Sequence, residues 1–290
     1  MIGRDLRSNR PPGRPCRTTR RGRVAILAIL ALLTLVVTVR AQVPEGWRSG
    51  SRYQREMVPS VQKGFMFCRL RYDSVRSEPS GMGWSTDYPM ADRNLMIRLS
   101  EFTTTGVNRY EDDEPAHAIV RATDPELFRC PFLFASDAGT AGFSTEEAEG
   151  LGEYLRKGGF LWVDDFWGDR AMSHWLQQIQ SVLPEGERIV LDPSHPLFST
   201  YYTLDALPQI PNIQFWRRSD GETSERGEET VQATISAITD RSGRIVILMT
   251  HNTDIADGWE RESEEYAYFS RFSPVAYAVG INVALFAMTR

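Results

Sequence analysis

Three apolar runs in this 290-residue sequence end in carboxylates, one of them with a histidine alongside, and those endings are where chemistry could sit. "PFLFASDAGT" closes on Ser136 and Asp137, "GGFLWVDDFWG" on Asp164 and Asp165, and "IVILMTHNTD" on Thr250, His251, Asn252 and Asp254. Carboxylate oxygens with an imidazole form a donor set for a divalent cation, with Asp137, Asp165, His251 and Asp254 as candidate ligands. The same four residues together with Asp164 are candidates for general acid or base work. No HxxEH or CxxC spacing fixes a metal geometry, and acids at strand ends also accept backbone N–H groups. Cation binding, acid–base chemistry and plain capping therefore all stay open.

Strand alternation narrows the choice. Neighbours in a strand point to opposite faces, so while the strand persists Asp164 and Asp165 cannot both address one ligand, which counts against a two-carboxylate glycosidase site built from them. One of the two is expected in a site and the other as a cap, with Asp169, on the helix that follows. No GxSxG, GxxxxGK[ST] or GxGxxG motif is present, which counts against acyl-enzyme chemistry and nucleotide binding. Trp162, Phe166, Trp167 and Trp175 read either as core or as a surface on which a sugar or peptide stacks. His174 and His195 read as structural, and His117 opens a strand with no evident partner.

The elements that must position these residues follow from hydrophobic periodicity. "FMFCRLRY", "HAIVRAT", Pro131 to Ala135, "FLWV", "RIVL", "TISAITD" and "GRIVILMTH" read as strands. Helices are expected around Met90 to Phe102, from a cap at Thr145 or Ser144 to Lys157, and over Arg170 to Leu183. A last helix is expected to start at Ser273 and Pro274, too short to span a membrane and buried against the sheet. Gly158 and Gly159 stop the second of these helices. Strand, capped helix, glycine stop and apolar strand make a βαβ unit, so the fold class is α/β with a mostly parallel sheet covered by helices. Arg217 to Thr230 reads as a solvated loop or hairpin tip.

Residues 1–41 have the layout of a signal peptide or N-terminal membrane anchor: an arginine-rich start, the apolar run Val24 to Val39, and small residues before Gln42. Residues 42–64 read as an arm and 65–290 as the domain. Taking away the nine arginines and one acid of residues 1–41 leaves 24 bases and 37 acids, a net charge of −13. An acidic exported domain is a poor partner for nucleic acid. Cys68 and Cys130 can pair in an oxidising compartment or stay as separate buried thiols.

"YPMADRNLMIRLSE", "DPELFRCPFLFASDAGT", "LRKGGFLWVDDFWG", "QIPNIQFWRRS" and "ILMTHNTDIADGWE" resemble the bacterial family known as domain of unknown function 4159, over nearly the whole chain after the leader. The resemblance implies a three-layer flavodoxin-like, class I glutamine amidotransferase-like domain. In active amidotransferases a glycine-led strand of this kind ends in a nucleophilic cysteine; here Asp164, Asp165 and Phe166 stand in that place, and His251 lies roughly where those enzymes keep a histidine. The resemblance also implies a setting beside MoxR-type ATPases and membrane proteins with von Willebrand factor A domains. The expectation is an exported, periplasmic or membrane-anchored binding or assembly module of the cell envelope, without catalysis or cofactor, that takes a protein or glycan ligand. The alternative is a hydrolase or metal-dependent enzyme using the strand-end Asp and His residues.

Overall fold

The computed structural model describes residues 64–289; the expected leader of residues 1–41 and the arm up to residue 63 lie outside the described residues. Seven strands form one sheet: β1 (Phe67–Leu70), β3 (His117–Val120), β4 (Phe132–Ala135), β6 (Leu161–Val163), β7 (Glu187–Val190), β8 (Thr234–Thr239) and β9 (Ile245–His251). Two short strands, β2 (Asp73–Ser74) and β5 (Ala141–Gly142), pair apart from it. The spatial order is β3-β1-β4-β6-β9-β8-β7. The first five of these run parallel, and β8 is antiparallel to both β9 and β7.

The apolar runs are buried on both faces, as parallel strands under two helical layers must be. On one face Phe67, Phe132, Phe134, Trp162 and Leu248 meet α1 (Met90–Phe102), α5 (Ile255–Glu260) and α6 (Tyr266–Thr289). On the other, Leu133, Leu161, Val163, Ile247 and Met249 meet α2 (Thr145–Arg156) and α3 (Gly168–Val182). Cys68 and Cys130 lie on this second face and are joined by a disulfide, their Cα atoms 5.9 Å apart.

Local chemistry sets the boundaries. Ser144, rather than Thr145, caps α2: its hydroxyl accepts from Glu147 N while the Glu147 carboxylate accepts from Ser144 N, a reciprocal capping box. After α2, Gly158 takes φ 108°, which a residue with a Cβ avoids, and the chain turns into β6. Asp240 Oδ1 accepts from the amides of Ser242 and Arg244 and so shapes the β8–β9 hairpin.

Two expectations need correction. The last helix begins at Tyr266, not at Ser273, and carries Pro274 inside it. An internal proline costs about 3 kcal/mol, but Tyr268 and Phe272 are buried on the turns before it, and that packing holds the helix through. At 24 residues and mean hydropathy 1.5, α6 is long and apolar enough to cross a membrane by length and composition, yet 56% of its most apolar window is buried within the protein. Asn282 is fully buried there, accepting from the amides of Tyr201 and Tyr202 and donating to the carbonyls of Leu197 and Tyr202.

The second correction concerns Arg217 to Thr230, which is not simply a solvated loop. A short helix, α4 (Ile213–Arg218), leads into it, Thr230 is buried, and the Glu225 side chain is only 4% exposed.

Candidate metal centre

Because β4, β6 and β9 are neighbours in the sheet, their carboxyl ends meet. Each strand is followed within two residues by an Asp or Asn in the left-handed region: Asp137 at φ 50°, Asp165 at 52° and Asn252 at 59°. Asp87, in the long loop between β1 and α1, is a fourth, at φ 63°. Asp and Asn tolerate this conformation better than other side-chain-bearing residues, but it still carries strain, and strained backbone gathers at working sites. At β6 the reversal also ends strand alternation, which separates the two adjacent aspartates.

Asp164 is fully buried and turns inward. It accepts from the Thr250 hydroxyl at 2.5 Å and from Ala256 N at 3.0 Å, so it caps α5, not the helix that follows it in sequence. Burial pushes its carboxyl up to about 7 against those hydrogen bonds. The start of α3 is instead served from elsewhere: Asn252 Oδ1 takes Gly168 N, and Glu229 Oε1 takes Asp169 N.

Asp165 is partly exposed and faces outward, with Oδ1 accepting from Trp167 Nε1 at 3.0 Å. Carboxylate oxygens of Asp165, Asp254 and Asp87 lie within 4.8 Å of one another. Each has one neutral anchor: Asp254 Oδ1 caps α5 through Asp257 N, and Asp87 Oδ2 accepts from Ser136 Oγ. Among the described residues no Arg, Lys or His comes within 4.0 Å of these three carboxylates; the nearby Arg69 guanidinium is engaged by Asp92 and by the carbonyls of Trp84 and Thr86. All three carboxyls are held well above the usual carboxylate range, first by burial and then by their acidic neighbours. A positive charge placed between three such groups would favour their ionising together.

A second group, Asp87 with Asp257 and Glu260, is equally close. It differs in having its own cation, since Arg261 Nε lies 3.3 Å from Asp257 Oδ1 and 2.8 Å from Glu260 Oε2. Asp257 also accepts from Ile213 N and from the Tyr268 hydroxyl. The first group is therefore the better place for a metal.

Asp137 stands beside the cluster, accepting from Gly83 N at 2.8 Å, and burial pushes it up to about 7. His251 is on the opposite face of the sheet. Its Nε2 donates to the Gly168 carbonyl, its ring lies 4.9 Å from that of Phe166, and burial lowers its pKa. The structure thus brings Asp165 and Asp254 together, with Asp137 adjacent, and separates Asp164 and His251 from them. Asp87 was missed from sequence because it sits in a Gly-, Ser- and Pro-rich loop; its only signal was "TDYP" just before a helix.

The aromatic residues give no stacking surface: Trp162, Phe166 and Trp175 are fully buried and Trp167 is 4% exposed. Tyr88 donates or accepts at His117 Nε2, 3.0 Å away, which supplies the partner His117 lacked. His174 bonds the Ala141 carbonyl and His195 caps a short 3-10 turn, both structural roles.

Nothing among curated proteins matches the chain. Residues 66–288, most of the chain and all of the elements around the acidic cluster, match the family described as Domain of unknown function (DUF4159), and the chain belongs to that family.

Proposed function

We propose that this protein is an exported α/β domain that binds its partner through a divalent cation held by Asp87, Asp165 and Asp254. The observation that carries the reading is the convergence of three carboxylates within 4.8 Å, Asp87 and Asp254 buried and Asp165 partly so, with no basic side chain at ion-pair distance among the described residues. Hard oxygen donors of this kind suit Mg²⁺, Ca²⁺ or Mn²⁺. A cation with three protein ligands keeps coordination positions for an outside oxygen, such as a carboxylate of an envelope protein or the hydroxyls of a glycan. The Cys68–Cys130 disulfide supports an oxidising compartment and hence export.

Strand order β3-β1-β4-β6 supports a doubly wound, flavodoxin-like and amidotransferase-like domain, with Asp165 at the position of the missing nucleophile. Both cysteines among the described residues are in the disulfide, so no thiol there can do amidotransferase chemistry. A second reading, metal-dependent hydrolysis, is favoured by one observation: Asp137, brought to about 7 beside the cluster, has the proton affinity of a general base for a metal-bound water.

Calorimetric titration of the purified protein with Mn²⁺, Mg²⁺ and Ca²⁺ at pH 8 tests the main reading. One-to-one binding that is lost in Asp165→Asn and Asp254→Asn supports it. No heat with any of the three cations in the wild type would overturn it.

A further inference from the structure

Two loops roof the carboxyl ends of the strands, and they come from distant parts of the chain. The loop of residues 76–83 lies over the end of β4: Gly83 N donates to Asp137, and a Cβ on Gly81 would stand 2.3 Å from an Asp137 oxygen. The loop of residues 221–230 lies over the ends of β6 and β9. Gln209 Nε2 bonds the carbonyls of both Thr230 and Asn252, and Glu229 holds Asp169 N. Asp165, partly exposed, sits where the two roofs approach, feeling Asp137 under the first and Glu225 in the second.

Arg226 joins them. Its Nη2 lies 3.4 Å from the Pro79 carbonyl and 3.5 Å from Glu78 Oε2, and its Nη1 lies 3.4 Å from Glu225 Oε2. Glu78 is paired in turn with Arg76, whose Nη1 donates to the Gly139 carbonyl at 2.6 Å. These are long contacts, with the Arg226 side chain 22% exposed over the less exposed Glu78 and Glu225. Each loop also turns through left-handed residues, Ser80 and Gly83 in the first and Gly221 and Gly227 in the second.

We infer that Arg226 is a latch: its contacts with Glu78 and Pro79 close the acidic crevice, and a cation enters and leaves when the two loops part. The inference rests on the cation reading for what passes the gate, but the latch can be observed without any cation. Arg226→Met and Arg226→Lys are the variants, and circular dichroism confirms that each is folded. In metal-free protein, amide hydrogen exchange at Gly83, whose N–H is bonded to Asp137, is expected to quicken by about fivefold in Arg226→Met and by less in Arg226→Lys. With Mn²⁺, stopped-flow rates of uptake and release should both rise in Arg226→Met by the same factor, leaving the affinity within about twofold. Unchanged Gly83 exchange would overturn the latch, as would faster exchange with unchanged Mn²⁺ rates. Faster exchange in a protein whose wild type takes up no Mn²⁺ would keep the latch and remove the cation reading.

Discussion

Asp164 and Asp165 share a peptide bond and face opposite ways: Asp164 reaches in to the Thr250 hydroxyl and the first turn of α5, and Asp165, at φ 52°, reaches out to Asp87 and Asp254. Asp164→Ala leaves Ala256 N without its acceptor inside the core, while the Thr250 hydroxyl keeps the Val163 carbonyl, and is expected to cost about 2 kcal/mol. Asp165→Asn relieves repulsion in the cluster and is expected to add about 1 kcal/mol at pH 8 in metal-free buffer. Urea denaturation of both variants checks the two signs; equal destabilisation would contradict the division of roles.

Raised carboxyls give stability an unusual pH dependence. Asp137, Asp164 and Glu260, each brought to about 7, hold protons in the folded state that the unfolded chain has already lost near pH 4. More protons bound when folded means that stability falls as pH rises from about 4 through about 7. Metal-free protein should be less stable at pH 8 than at pH 5 by at least about 2 kcal/mol, measured by urea midpoints.

A cation filling the cluster should reverse that fall. The thermal midpoint gained on adding millimolar Mn²⁺ or Ca²⁺ is expected to be larger at pH 8 than at pH 5.5, where protons compete for the same oxygens. Chelation should return the pH 8 value to that of metal-free protein. A gain independent of pH would place the ion elsewhere.

Cys68→Ala with Cys130→Ala opens a loop with a sequence separation of 62 residues and should cost about 2–4 kcal/mol. Dithiothreitol should lower the thermal midpoint of the wild type and leave that of the double variant unchanged.

Asn282→Leu tests the place of α6. The change strands two amides and two carbonyls around residues 197–202 and should cost about 3 kcal/mol in a helix buried against the sheet. A gain in stability in aqueous buffer would contradict that packing.

Much of the fold was legible because its signals are local. Apolar runs of four to seven residues, a cap at Ser144 or Thr145 and the glycine stop at Gly158 each act within a few residues, and they marked the parallel sheet and most of its helices. The start of α6 was misread for the complementary reason. Ser273–Pro274 is a good local start, and the burial of Tyr268 and Phe272, a tertiary effect, outweighed it.

For the candidate site, the apolar runs in the sequence were enough to show that three strands end in acids, but the separation of Asp164 from Asp165 comes from the left-handed turn after β6. Which acids meet depends on contacts between distant segments. His251 left the cluster because its place in β9 directs it to the α3 face, and Asp87 joined it because the loop before α1 folds back over the ends of β4 and β6. Side-chain direction at a strand end and the path of a long loop are fixed by backbone reversals and by contacts between residues far apart in the chain, and neither leaves a periodic trace in sequence.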